Sequence, residues 1–197
     1  MSPTHLGPCP TCGGPDADPI TGSAESLCVL ACRGCGRLRA AADGAATADL
    51  PGAPAAPIAF AAELVRRYGL TADDLVVEVG SGTGGRLRAV RRLGPRVLGI
   101  EPRLRDMARA FHTGVDTIGA VFGVGAAEYV ARRYGPARVV LVRDLRAVGC
   151  EPAALVADAA ACLRRDGVIV AEVLVGDTAR MVELVPAGRP TPVSSAA

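Results

Sequence analysis

The chain has 197 residues, 50% of them apolar, and a net charge of +2, which allows one ordinary domain plus a small accessory module and excludes both two large domains and global disorder. All 22 basic residues are arginines, and with three Phe, three Tyr and no Trp the core must be built from Ala, Val and Leu. So mild a charge does not describe a protein specialised for nucleic acid, and the Arg pairs at 66/67, 91/92, 132/133 and 164/165 read as complements to helix C-termini. Met1 to Cys12 lacks the basic start and apolar run of a signal peptide, and no transmembrane stretch is visible, so a cytoplasmic protein without membrane association is expected.

Residues 1 to 42 hold five of the seven cysteines. Cys9-Pro-Thr-Cys12-Gly13 and Cys32-Arg-Gly-Cys35-Gly36 are two CxxCG turns, each able to present two thiolates to one ion around a glycine bend. Four such ligands close a tetrahedral zinc site, and paired turns in a reducing compartment favour metal over disulfides. Cys9, Cys12, Cys32 and Cys35 are therefore the expected ligands of a structural zinc in a ribbon-like module. Cys28 is a neighbouring thiol that stands near enough in sequence to replace one of them, while Cys150 and Cys162 read as small apolar side chains. Residues 43 to 57, small and Pro-rich, read as a linker or an ordered extended connection.

From Ile58 onward the pattern alternates helix and strand. A helix is expected over Ile58 to Tyr68, a buried strand over Asp74 to Val79, a helix over Gly85 to Leu93, a strand over Arg96 to Glu101, and a helix starting at Pro102 and reaching Phe111. A short strand follows near Val115 to Ile118, then a helix over Gly125 to Tyr134, a strand over Ala137 to Val142, a helix over Pro152 to Arg165 and a fifth strand over Val168 to Val175. Met181 to Val185 fits one more strand or a helical turn, and residues 186 to 197 read as a disordered tail. Strands this continuously apolar predict an α/β fold, a mostly parallel Rossmann-like sheet over residues 58 to 185 covered by helices on both faces. Such sheets bind ligands at the carboxyl ends of their strands.

The segment Glu78-Val79-Gly80-Ser81-Gly82-Thr83-Gly84-Gly85 sits at that edge between a strand and a helix. Its glycines permit a tight turn and close backbone approach to a nucleoside cofactor. Glu78 would repel a pyrophosphate and attract an ammonium, so charge favours S-adenosylmethionine over a nicotinamide dinucleotide, the main competitor. Glu101, 21 residues beyond Gly80, ends the next strand where a carboxylate can accept both ribose hydroxyls. Glu78, Gly80, Ser81, Gly82, Gly84, Glu101, Pro102 and Arg143 are the expected cofactor contacts.

At CPTCG, CRGCGRLR, LVVEVGSGTGGRL, RVLGIEP and LRRDGVIVAEV the chain resembles the bacterial nucleotide-sugar C-methyltransferases, in which an amino-terminal zinc-binding domain precedes a class I methyltransferase domain. The resemblance implies a deoxy-ketosugar on a nucleoside diphosphate as substrate and methylation of the carbon beside its ketone, which needs a base and an oxyanion-stabilising group facing the methyl donor. The chain departs from the family in lacking its histidine-rich aromatic segment and following domain, and in having Arg143-Asp144-Leu145-Arg146-Ala147-Val148 where the family has asparagines and a histidine. Asp144 and His112 remain as catalytic candidates, with Arg143 or Arg146 to neutralise an enolate or diphosphate; Tyr129 and Glu172 are weaker candidates. The functional expectation is a methyltransferase acting on a small metabolite such as a nucleotide sugar or natural-product intermediate. Its rivals are a shortened, inactive relative that binds cofactor or a partner enzyme, or a copy of itself, through an open fifth-strand edge, and a zinc-ribbon enzyme acting on nucleic acid.

Overall fold

The computed structural model describes residues 8–9, 12–21, 28–34, 38–41, 46–50, 56–143, 152–175 and 178–185. Cys35, Asp144, Arg146, Cys150 and the tail from 186 lie outside them, as does the side chain of Cys28.

Three short strands come first: β1 (Ala17–Thr21), β2 (Cys28–Cys32) and β3 (Leu38–Ala41) form an antiparallel sheet in the order β1-β2-β3. A seven-stranded sheet follows, built from β4 (Ala46–Leu50), β5 (Leu75–Val79), β6 (Arg96–Ile100), β7 (Thr117–Ile118), β8 (Ala137–Val142), β9 (Leu163–Val175) and β10 (Thr178–Val185) in the spatial order β4-β10-β9-β8-β5-β6-β7. The helices between them are α1 (Pro57–Tyr68), α2 (Gly85–Arg92), α3 (Leu104–His112), α4 (Val124–Tyr134) and α5 (Pro152–Ala160). Strands β7, β6, β5, β8 and β9 are parallel, whereas β10 runs antiparallel to both β9 and β4.

Alternation along the strands sends successive side chains to two cores. On one face Val76, Val139, Leu141, Val168 and Val170 pack with Phe60, Leu64 and Tyr68 of α1 and Leu87 and Val90 of α2. On the other Val77, Val79, Val140, Val142 and Ile169 pack with Ala127 and Val130 of α4 and Leu155 and Ala159 of α5. Val76 and Val77 are both 0% exposed although they point opposite ways, so each contributes about 1.5 to 3 kcal/mol of burial and neither face is a solvent face. The chain reverses direction across the sheet between β5 and β8, which opens a crevice beyond their carboxyl ends.

Four expectations are refined or corrected. Residues 43 to 57 are not only a connection: β4 lies within them and pairs with β10 from Ala46↔Val185 to Leu50↔Met181. The last helix stops at Ala160 rather than Arg165, and β9 starts at Leu163. Arg164 and Arg165 imitate a helix C-terminus, yet Arg164 bridges Asp166 and Asp74, each at 2.8 Å, where β9 shifts register between Leu163, opposite Ala137, and Val168, opposite Val139. Finally, the fifth strand of the parallel series, β9, has no open edge, because β10 occupies it from Ile169 to Val175. The proposed docking edge is satisfied within the chain, and β4 and β7 are the outer strands. Pro102 also falls short of the helix it was expected to start, since α3 begins at Leu104 with Arg103 as its N-cap. Among the described residues no helix is long and apolar enough to cross a membrane.

Candidate functional site

The loop after β5 is shaped by glycine. Gly80, Gly82 and Gly84 have φ of 71°, 55° and 74°, a region where a Cβ meets the carbonyl and which favours glycine. Gly84 has a second constraint, since a Cβ there would lie 3.1 Å from the Val115 side chain. The loop is fastened to β6: the N–H groups of Gly80 and Ser81 donate to the Ile100 carbonyl at 2.9 and 3.3 Å. Gly82 N–H donates to Glu101 Oε2 at 2.8 Å. Gly84 then caps α2 without a side-chain partner, leaving first-turn N–H groups directed at the crevice.

Two buried carboxylates flank this loop, and their environments differ. Glu101, 1% exposed, accepts from Gly82 N–H and from Arg103 through its backbone N–H and its Nε, both at 2.9 Å. Burial pushes its carboxyl up, but the bonds from Arg103 and Gly82 outweigh that and hold it below the usual carboxylate range. Glu78 is equally buried, at 1% exposed, and neither of its oxygens has a hydrogen-bond partner. Burial raises its pKa to about 7, against the opposing fields of Arg86 and Arg143. A buried acceptor pair without a donor is costly when ionised, which is the physical cause of that rise.

Beside Glu101 lies a cleft of about 450 Å³, lined by Val79, Gly80, Glu101, Arg103, Phe122 and Arg143 among others, whereas Glu78 lies buried on the strand behind it. Arg143 directly follows β8, where its N–H donates to the Val79 carbonyl at 3.2 Å. Its guanidinium reaches over the glycine loop, 3.5 Å from where a Gly82 Cβ would stand. Of the expected contacts, Gly80, Glu101, Pro102 and Arg143 line this cleft, whereas Glu78 belongs to β5 and Ser81, Gly82 and Gly84 to the loop that joins it to α2.

His112 does not join them. It is the last residue of α3, exposed, and α3 starts beside Glu101 and runs back toward the amino edge of the sheet. A nine-residue helix spans roughly 12 Å, so the imidazole belongs to the opposite rim, and the catalytic expectation for it is withdrawn. Tyr129 is 46% exposed on α4 and rests edge-on against Tyr134, with ring centroids 6.4 Å apart. Sequence reasoning missed Arg86 and Arg103. Their signals were an arginine directly after the glycines in Gly84-Gly85-Arg86 and another two residues past Glu101.

In the amino-terminal sheet Cys9, Cys12 and Cys32 place their sulfurs within 4.8 Å of one another, with Cys12 and Cys32 at 3.5 Å. Gly13, at φ 71°, closes the first turn through its N–H to the Cys9 carbonyl at 2.7 Å. A Cβ at Gly14 or Gly34 would come 3.3 or 3.2 Å from the Cys12 sulfur, so those neighbours must be small.

Over 80 residues, 41% of this chain, the sequence is 46% identical to the C-methyltransferase NovU of Streptomyces niveus. The large sheet is a class I methyltransferase-like Rossmann fold. The match covers 19% of NovU, so the chain spans about a fifth of that relative's length. No family model matches the chain. Among solved structures, a SAM-dependent methyltransferase from Thiobacillus denitrificans in complex with S-adenosyl-L-homocysteine is 24% identical, covers 57% of this chain and 46% of its own, and superposes with a TM-score of 0.45. The ribosomal protein L11 methylase from Lactobacillus delbrueckii subsp. bulgaricus is 13% identical over 57% of this chain and 69% of its own, with a TM-score of 0.43.

Proposed function

We propose that this chain binds S-adenosylmethionine at the carboxyl edge of β5 and β6 and methylates a small molecule. The observation that carries the reading is Glu78, buried with both oxygens unpartnered beside a glycine loop whose other flank is the anionic Glu101. When bound, the cofactor supplies an electrophilic methyl group on a sulfonium. Glu78 offers a negative partner to the methionyl ammonium, the loop's positive-φ glycines let the backbone approach, and Glu101 accepts the ribose hydroxyls in place of Arg103. A dinucleotide would set its pyrophosphate against the Glu78 carboxylate, which disfavours the nicotinamide alternative.

For the acceptor, a nucleotide-linked ketosugar or related natural-product intermediate methylated on carbon remains our reading, supported by the identity to NovU. Arg143 lines the cleft and is suited to a diphosphate or an enolate oxygen. Asp144, the next residue in the chain, is the proposed base that removes the proton.

We also propose a structural zinc on Cys9, Cys12, Cys32 and Cys35. Zn–S bonds of about 2.3 Å in a tetrahedron separate sulfurs by roughly 3.8 Å, and the three described sulfurs lie within 4.8 Å. Gly14 and Gly34 let the backbone pass close to the Cys12 sulfur.

Calorimetry with S-adenosylmethionine, S-adenosylhomocysteine and NAD tests the cofactor. Binding of both sulfur ligands without NAD is expected, and tight binding of NAD alone would overturn the reading.

A further inference from the structure

Arg86, on the first turn of α2, has only 18% of its side chain exposed and forms an ion pair with Glu172 near the carboxyl end of β9. Its guanidinium also lies over the Phe60 ring of α1, 4.9 Å from the centroid. Glu172 follows Ala171, which stands opposite Val142, itself opposite Val79. Strand alternation puts Glu172 on the same sheet face as Val170 and Glu78, the face covered by α1 and α2. Glu78, Arg86 and Glu172 thus gather under one helix pair, two carboxylates around one guanidinium, with the Glu78 oxygens unpartnered.

The methionyl end of the cofactor carries an ammonium and a carboxylate on the same carbon. A site that receives the ammonium at Glu78 needs a cation for the carboxylate close by and on the same face. Arg86 and Arg143 are the cations whose fields reach Glu78 most strongly. Arg143 stands on the cleft side over Gly82. Arg86 shares the face of Glu78 and projects from the first turn of α2, whose free N–H groups favour a carboxylate too. With Glu78 ionised the three side chains carry a net charge of −1, and S-adenosylmethionine, with two cationic groups and one anionic, carries +1.

We propose that Arg86 is the carboxylate-binding residue of the methionyl subsite, with Glu172 as the intramolecular stand-in that holds the guanidinium until the cofactor takes it. The proposal rests on the S-adenosylmethionine reading and adds to it the recognition of the amino-acid end. Phe60 keeps the guanidinium plane in place during the exchange, since a stacked arginine retains its orientation when its anion changes.

Full-length protein, R86M and E172Q are to be titrated with S-adenosylmethionine and with decarboxylated S-adenosylmethionine, which lacks only the carboxylate. A hydrogen-bonded charged group corresponds to a difference of about 10- to 100-fold. The parent is therefore expected to prefer S-adenosylmethionine by that factor. R86M is expected to lose the preference through weaker S-adenosylmethionine binding, without weaker binding of the decarboxylated ligand. E172Q, freed of the competing anion, is expected to bind S-adenosylmethionine a few-fold more tightly. Equal loss of both ligands in R86M, or weaker S-adenosylmethionine binding in E172Q, would overturn the proposal. Should R86M fail to fold, the sign of the E172Q change still decides. A parent that binds neither ligand removes the cofactor reading itself, whereas a parent that binds both alike removes only the role of Arg86.

Discussion

At Gly99, one residue before the carboxyl end of β6, an ideal Cβ would stand 2.5 Å from the Ser81 hydroxyl and 2.8 Å from that of Thr117. The missing side chain is what allows Ser81 to tuck under the glycine loop. Gly99→Ala is expected to lower stability by about 1 to 3 kcal/mol and to weaken S-adenosylhomocysteine binding by displacing Ser81; urea unfolding and calorimetry read the two effects, and a variant as stable and as tight as the parent would show that the loop yields. Glu78 makes a pH prediction of the opposite sense to most acids. Its pKa is raised to about 7 in the folded chain, against 4.5 for the free group, so between those values the folded state holds a proton that the unfolded chain has released. Stability then falls as pH rises through that window, by on the order of 3 kcal/mol. Asp166, lowered to about 2, and Glu101, also lowered, contribute stability above their unfolded values and lose it on acidification, below the Glu78 window. Urea midpoints measured from pH 5 to 8 should therefore decline in the parent and stay level in Glu78→Gln. Binding a cationic cofactor near pH 6 should release close to one proton, seen as a buffer-dependent enthalpy that disappears in the same variant.

The glycine loop and its acids were legible in the sequence because they are local: a strand, a turn, a helix and one more strand place Glu78 and Glu101 without long-range information. Beta-strand β4 was not, because Ala46–Leu50 reads ATADL, with no alternation of large apolar residues, and its partner Met181–Val185 lies at the far end of the described chain. The start of β9 was hidden by Arg164 and Arg165, whose charges suit a helix end as well as the ion pairs they make. The edge of β9 is closed for the same long-range reason, since residues 181 to 185 fit a strand or a helical turn by sequence alone and become a strand only through pairing with β9 and β4. Hydrogen exchange provides the check. With β4 and β9 on either side, the amides of Met181 to Leu184 should all be protected, whereas an unpaired outer side would leave alternate amides exchanging at loop rates.

On the scale of the whole molecule, the sheet that carries the cysteines meets the larger sheet through β3, which runs beside β4 and reaches β10. A module this small has little core of its own, so a bound metal should contribute much of its folding free energy. Close to one zinc per chain is expected after mild purification. Chelation should abolish amide protection in β1 to β3 while β5 and β8 stay protected, and unchanged protection in a metal-free chain would refute the zinc assignment. The acceptor half of the site is the least legible part, because the residues proposed for it follow β8 in a stretch without a periodic signature.

The pairing of Ala48 with Glu183 has a consequence for synthesis. A ribosome adding about 5 to 20 residues per second needs on the order of ten seconds to pass from β4 to β10. Throughout that interval the cysteine-bearing sheet emerges attached to a strand whose hydrogen-bonding partner does not yet exist. The first three strands can pair with one another early and locally, whereas the pairing of β4 with β10 must wait for the later strand. The outermost place in the sheet is thus filled by a strand made long before the one it joins.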